Sequence, residues 1–367
     1  MAQLTFASPS EGDDVILLER YVGAQVVWGI TVVLTVLVGL DALSAVIDEL
    51  QGLRGNYGFY EALFYVATSL PGRVVELAPI AVLVGVLVAL GQLASTSELV
   101  VIRSSGVSQR GVLKILLKPV LVLAGVLLIV GEFVVPKVEQ LGETERALAL
   151  SDNGNVTGRY GMWYREGQHF IHFNAVQSAG VIYGITLFTF DDAWALSEEI
   201  RARRGTFQDS GWLLEEVERT QINSWGTEAS RHTTLLWETD VTPDLLAMES
   251  VSPDRASINN LLKYSAYLHQ QGLEAADYEV AAWKKITQPL AIMMLVLVAT
   301  GFIFGPLRDG TLGLRVFIGT LVGLAFKISQ DLVTSITLVY GITPWLAVLL
   351  PLAVGVAAGV YLLKRGS

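Results

Sequence analysis

The sequence predicts an α-helical polytopic membrane protein: six transmembrane helices, with an all-β, jellyroll-like domain inserted between the third and the fourth. Three observations carry that prediction. Six apolar stretches come near or exceed the ~20 residues that a bilayer crossing takes. The chain of 367 residues is 52% hydrophobic and only 16% charged, with a mean hydropathy of +0.51. Its charge is also lopsided: residues 137–282 hold 11 Lys and Arg against 22 Asp and Glu, a net −11, while the remainder has 14 against 13 and nets +1. A nearly neutral apolar part therefore carries one acidic, water-facing block. That balance excludes a nucleic-acid partner, which wants a basic face.

The spans fall near residues 22–47, 74–94, 112–135, 286–304, 312–338 and 344–363. The first reads as a span and not as a cleavable signal, because Glu11, Asp13, Asp14 and Glu19 precede it where a signal carries basic residues. Orientation follows Lys and Arg in short loops. Arg103, Arg110, Lys114 and Lys118 follow span two, Arg308 and Arg315 follow span four, and Lys364 and Arg365 end the chain. Arg54, Arg73, Lys137, Lys284 and Lys285 stand on the opposite side. The bias places both termini in the cytoplasm and exports the acidic block.

Within that block, 137–150 reads as a helix prolonging span three. Short segments rich in aromatic and β-branched residues follow at 162–165, 169–175, 181–190, 196–203, 212–222 and 232–239, separated by turns such as Arg165-Glu166-Gly167 and Asp209-Ser210-Gly211. Many short strands at regular spacing predict a sandwich or jelly roll. Trp163, Phe173, Phe190, Trp212 and Trp237 are its expected core, with an apolar groove for acyl chains as the other reading. Helices at 257–270 and 274–285 lead back to the membrane. The chain thus divides into 1–136 (three spans and a short cytoplasmic helix near 96–105), 137–282 (the β domain with flanking helices) and 283–367 (three spans).

Catalytic signatures are missing. The chain has no cysteine, no G-x-x-x-x-G-K-[ST], no H-E-x-x-H and no G-x-S-x-G. His169 and His172 would fall on opposite faces of a strand, a poor pair of metal ligands. No cofactor and no metal site is expected.

Two local features stand out. Ser95-Thr96-Ser97-Glu98 fits a capping box, with Ser95 as the N-cap and Glu98 three residues on. Leu99 to Ile102 and Arg103 follow, and Gly106 stops the run. This predicts a short cytoplasmic helix, either an interfacial anchor or a docking helix for a cytoplasmic motor. The second feature is charge depth. At ~1.5 Å per residue from each cytoplasmic start, Asp41 lies about 28 Å up, Glu132 about 30 Å and Lys327 about 22 Å. Asp331 stands one turn beyond Lys327 as its expected partner, and Arg73 and Glu76 open span two on the same side. These groups either snorkel to the interface or rim a cavity open to outer-leaflet headgroups.

The residues resemble a known family. LERYVG at 18–23, SELVVIRSSGVS at 97–108, GEFVVP at 131–136, FIFGPLR at 302–308 and LVYGITP at 338–344 are similar, in order, to the LptF/LptG permeases of the lipopolysaccharide exporter, and nearer to the LptG branch. The resemblance implies a non-catalytic permease subunit in the inner membrane with a periplasmic jellyroll. It implies an LptF-like second subunit, an LptB-like ATPase dimer, an LptC-like bitopic protein and an LptA-like periplasmic bridge as partners. The substrate would be lipopolysaccharide, extracted from the outer leaflet. The short helix then matches the family's coupling helix, with Glu98, Arg103 and Gly106 as ATPase-coupling residues. Arg146 matches a basic residue that contacts lipopolysaccharide, and the candidate substrate set is Arg146, Lys137, Arg54, Lys327, Asp41 and Glu132. Where family members carry a Lys pair after span one, this chain reads Asp48-Glu49-Leu50-Gln51-Gly52, with Arg54 the nearest cation. The competing expectations are an ATP-linked signal relay and a lipid-modifying enzyme using Asp41, Glu76 or Glu132 as base.

Overall fold

A computed structural model describes residues 11–53, 57–150, 162–177, 180–208, 211–223, 225–239, 241–243, 252–270, 273–307 and 310–365. Arg54, Arg308 and the Asp209-Ser210 turn lie outside the described residues. Among those described, six helical segments are long and apolar enough to cross a membrane. They are α1 (Glu11–Gln51), α2 (Phe59–Ser95), α4 with α5 (Gln109–Ile129 and Val135–Leu150), α7 (Ala276–Phe304), α8 (Leu312–Tyr340) and α9 (Pro344–Arg365). A short helix α3 (Glu98–Ser104) separates α2 from α4, and α6 (Ile258–Gln270) precedes α7. Two helices outrun the apolar stretches that announce them. α2 begins at Phe59 and continues through Pro71 and Gly72 into the second span, and α7 runs unbroken from Ala276 into the fourth. α4 and α5 are joined by a π turn, Val130–Val134. Pro136 explains the wide turn: it has no N–H to offer, and its ring crowds the carbonyl four residues back, at Glu132.

The chain forms two compact units. The first gathers α1 as far as Leu40, α2 from Val74, α3, α4 and the chain from Trp283 onward. α2 and α7 are its buried spans, whereas α1, α8 and α9 keep most of their surface outside. Small residues set the helix contacts, as expected where lipid offers no hydrophobic drive. A Cβ on Gly85 of α2 would stand 2.5 Å from the Ile30 Cα of α1; Gly319 of α8 admits Leu87 of α2, and Gly359 of α9 admits Leu297 of α7.

The second unit comprises residues 41–73 and 130–282. Its β domain is one antiparallel sheet in the order β1-β2-β4-β5-β6-β7, with β3 (Ala175–Gln177) also paired to β4. The strands are β1 (Met162–Glu166), β2 (His169–Phe173), β4 (Val181–Phe190), β5 (Leu196–Gln208), β6 (Gly211–Asn223) and β7 (Gly226–Glu238). The inserted all-β domain is therefore present, wound as a meander in which β2 and β3 both pair with β4 and the other strands pair with their neighbours in sequence. Strands β5 to β7 run longer than the apolar pattern suggests. Their ends are polar on both faces, as in β7, where almost every residue is exposed.

Alternation changes phase along a line across the sheet. The core side chains are Ile182, Ile185 and Leu187 on β4, Ile200 and Ala202 on β5, and Trp212, Leu214 and Val217 on β6. The odd steps from 182 to 185 and from 214 to 217 coincide with left-handed residues, Gly184 at φ 61° and Glu216 at φ 54°. Each left-handed residue flips the parity of its strand, so both halves feed one cluster.

The face that β1 turns inward corrects one expectation. Phe173, Trp212 and Trp237 are core, but on β1 the core position is Tyr164, and Trp163 points the other way, 57% exposed. Trp163 stacks on Phe188 and tilts against His172 on the outer face, while Phe190 joins Phe170 and Trp194 there. Burial under these rings pulls the His172 pKa below its ordinary value. The native state therefore holds fewer protons here than the unfolded chain, and its full contribution stands above the unfolded value of about 6.5. Thermal melting of the full chain in detergent, followed by β-sheet circular dichroism, should lose stability as pH falls from 7 through 6. His172→Phe should flatten that slope; an unchanged slope would remove His172 as its source.

Candidate functional site

α3 is the first candidate. The expected cap does not form. α2 runs to Ser95, whose hydroxyl donates to the Gln92 carbonyl, and Thr96 bonds back in the same way. The N-cap is Ser97, left-handed at φ 63° with no side-chain cap bond. That reversal lets a seven-residue helix start at Glu98. Leu99 and Ile102 are its buried side, while Val100 and Val101 on the other side are 64% and 65% exposed. Three contacts fix it: the Tyr21 hydroxyl of α1 donates to Glu98 Oε2 at 2.7 Å, the Arg103 guanidinium lies 5.4 Å from the centre of the Phe304 ring, and Gly106, at φ +93°, returns its N–H to the Arg103 carbonyl. Nearby, the buried Arg315 donates to the carbonyls of Gly91 at 2.7 Å and Leu307 at 3.2 Å, tying the start of α8 to the end of α2. Lys118 of α4 holds Glu19 of α1 at 2.6 and 2.7 Å.

Lys327, Asp331 and Asp41 each pair with an opposite charge on another helix. In the first unit Lys327 of α8 meets Glu76 of α2 at 2.5 Å, and Asp331 meets Lys284 of α7 at 3.4 Å. The expected Lys327–Asp331 pair along one helix gives way to these two interhelical bridges. In the second unit Asp41 of α1 pairs with Arg73 of α2, whose Nε also donates to Ser69 at 2.9 Å. An unpaired charge at membrane depth costs at least ~2.5–3.5 kcal/mol, so each bridge makes two costly residues tolerable and ties two helices.

α5 carries the densest polar cluster. Just before it, Glu132 in the π turn accepts from the backbone N–H of Ile258 at 2.7 Å and of Asn259 at 3.4 Å, at the start of α6. A carboxylate suits that end of a helix. Glu139 is 3% exposed in its side chain and takes both oxygens to Arg255, 2.9 Å each. Two turns on, Arg146 binds Glu49 of α1 through Nη2 at 3.1 Å and Nε at 3.2 Å, and Glu143 stands 3.9 Å from Nη1. The Tyr65 ring underlies the guanidinium at 4.8 Å. Tyr57 donates to Glu49 and Tyr65 donates to Glu143, each at 2.8 Å. Burial, reinforced by the Glu49 carboxylate, pushes the Tyr57 pKa up to about 12, which keeps it a donor. Lys137 is exposed on α5.

Of the residues singled out in the sequence, Asp41, Glu132, Lys137 and Arg146 belong to the second unit, and Glu98, Arg103, Gly106 and Lys327 to the first. Tyr21, Glu49, Tyr57, Tyr65, Glu139, Glu143 and Arg255 escaped sequence reasoning as site residues. Only the Glu143–Arg146 spacing, three apart on a helix, could have flagged a contact.

Residues 20–365, from α1 to the end of α9, match the family model of the lipopolysaccharide export system permease LptF/LptG. The chain belongs to the LptF/LptG family. It is 31% identical to the lipopolysaccharide export system permease protein LptG of Haemophilus influenzae over 351 residues, 95% of this chain and 98% of the relative. It is 32% identical to the protein of that name from Escherichia coli K12 over 357 residues, 96% and 99% of the two chains. As an LptF/LptG-family permease, the chain is a multi-pass membrane protein with a β domain inserted in the sequence between the third and fourth spans.

Proposed function

We propose that this chain is the non-catalytic permease subunit of an ATP-driven exporter. It draws lipopolysaccharide from the outer leaflet of the inner membrane and passes it to a periplasmic bridge. Its partners are an LptF-like permease subunit, an LptB-like ATPase dimer, an LptC-like protein and an LptA-like bridge. Both termini are cytoplasmic and the 137–282 block is periplasmic; residues 1–136 and 283–367 form the membrane part. The pairing of Lys284 with Asp331 supports that orientation, since a neutralised Lys carries little weight against the basic residues of the opposite loops.

One observation carries the reading. α3 offers an apolar, exposed pair, Val100 and Val101, beside Glu98, while Leu99, Ile102, Tyr21 and Phe304 fasten it to the first unit. Such a helix can take a push from a soluble motor and hand it to α1 and α7. Glu98 is the acidic contact for the ATPase, Arg103 and Gly106 hold the helix in place, and the chain itself hydrolyses nothing. Arg146 and Lys137, with Arg54, are the cations for headgroup phosphates. Asp41, Lys327 and Glu132 hold the helices around them.

The test uses the complete complex in liposomes with the bridge protein as acceptor. Glu98→Lys should lower ATP-dependent lipopolysaccharide transfer about tenfold or more, the effect of ~1.4 kcal/mol of lost docking energy. The mass of the transferred lipid should be unchanged. Full transfer by Glu98→Lys overturns the coupling role. Altered lipid mass would make the chain part of an enzyme, and ATP-driven motion without transfer would make it a relay.

A further inference from the structure

We infer that Glu49 is a built-in competitor for an anion receptor centred on Arg146, a clasp between the end of α1 and α5 that opens when a phosphate takes the place of the carboxylate. The inference rests on the proposed function for the identity of the incoming anion.

The receptor is recognisable from its geometry. Glu49 binds Arg146 through two parallel N–H···O bonds, 3.1 and 3.2 Å, the fork-to-fork mode that guanidinium offers to carboxylate and phosphate alike. The Tyr65 ring supports the flat face of the guanidinium at 4.8 Å. Tyr57 and Tyr65 hold the two carboxylates in place, each by a 2.8 Å bond. Glu49 and Glu143 carry two negative charges against the single positive charge of Arg146. One carboxylate is bound tightly, and the other stands off at 3.9 Å. The Arg146 side chain is 31% exposed, so the receptor is open to an anion from outside, whereas Glu49 at 14% is the group tucked beneath it.

The clasp has something to release. Glu49 lies two residues before the end of α1, and α1 is the least embedded of the six spans. A phosphate can occupy Arg146 in the bidentate mode only after Glu49 withdraws, so it has a higher affinity for the unclasped state and shifts the population towards it. A bound phosphate thereby releases the end of α1. In this chain an acidic residue stands at that end, and recognition of the ligand and release of the helix become one exchange at one guanidinium.

The chain has no cysteine, so Ile47→Cys and Leu141→Cys, both at exposed positions of α1 and α5, introduce the only two spin-label sites in this chain. Electron-electron distances are measured on the full complex in lipid nanodiscs, with lipopolysaccharide or with the same lipid stripped of its phosphates. The native clasp should give one narrow distance that lengthens and broadens with lipopolysaccharide and stays narrow with the dephosphorylated lipid. Glu49→Gln should be broad with no lipid added. The exchange Glu49→Arg with Arg146→Glu should be narrow again and respond to neither lipid. A narrow distance in Glu49→Gln overturns the clasp, and broadening by dephosphorylated lipid overturns phosphate as its trigger. So does a native complex that transfers lipopolysaccharide without broadening, which leaves the proposed function standing. A complex that transfers none fails the proposed function instead, and Glu49→Gln alone then decides the clasp.

Discussion

Arg255→Met is expected to remove about 3–5 kcal/mol from the stability of the second unit, the cost of leaving one partner of a buried ion pair alone. Glu139 is 3% exposed, and both of its oxygens rest on one nitrogen of Arg255. The surroundings are shaped to this carboxylate: Gly72 of α2 faces it so closely that a Cβ there would stand 2.6 Å from Oε1. Met fills the volume of the arginine stem without its charge, so the loss reports the stranded anion. Glu139→Leu added to Arg255→Met should recover most of the stability, because neither charge is then buried. Thermal and denaturant unfolding of the full chain in detergent measures both. A single variant within 1 kcal/mol of the native chain, or a double variant no better than the single, would show that the pair does not hold this junction.

Gly85→Val should nearly abolish folded protein in the membrane fraction. The valine Cβ would stand 2.5 Å from the Ile30 Cα and 2.7 Å from its nitrogen. Those are backbone atoms and cannot swing aside as a side-chain tip can, so α1 must move bodily. Overpacking typically costs 1–3 kcal/mol, and α1 has little other contact to hold it. Gly85→Ala, which meets the same atoms with less bulk, should fall between the native chain and valine. Yield of full-length protein and its melting midpoint provide the comparison; a valine variant as abundant and as stable as the native chain would dismiss the close crossing.

The spans were legible because a bilayer demands long apolar runs, and β4 was legible to the residue because its composition changes at both ends. Trp163 was misread because Trp163 and Tyr164 are adjacent aromatics, and which of the two faces a strand turns inward leaves no mark in composition. The Ser95 cap failed because α2 continues into it and uses its hydroxyl. Among the charges, the partners could not be read from the sequence. Lys327 and Glu76 lie 251 positions apart, and no local period links them. The short helix with Glu98 was visible as a pattern; that Tyr21 holds it was not. The acidic residue at 49 stood out only as a departure from a family habit, and its meaning came from the guanidinium it meets.

The π turn at Val130–Val134 sets a bearing. One surplus residue in a helix of 3.6 residues per turn rotates everything downstream by about 100° from uninterrupted winding. Glu139, Gly142, Glu143 and Arg146 all lie downstream. Excising a single residue from that turn, Phe133 for example, would swing each of them through more than a right angle. Arg146 would be carried off Glu49, and Glu139 off Arg255, with every one of the four residues still intact. The azimuth of the polar cluster is thus written as a miscount in the backbone, placed where Pro136 obliges the winding to loosen.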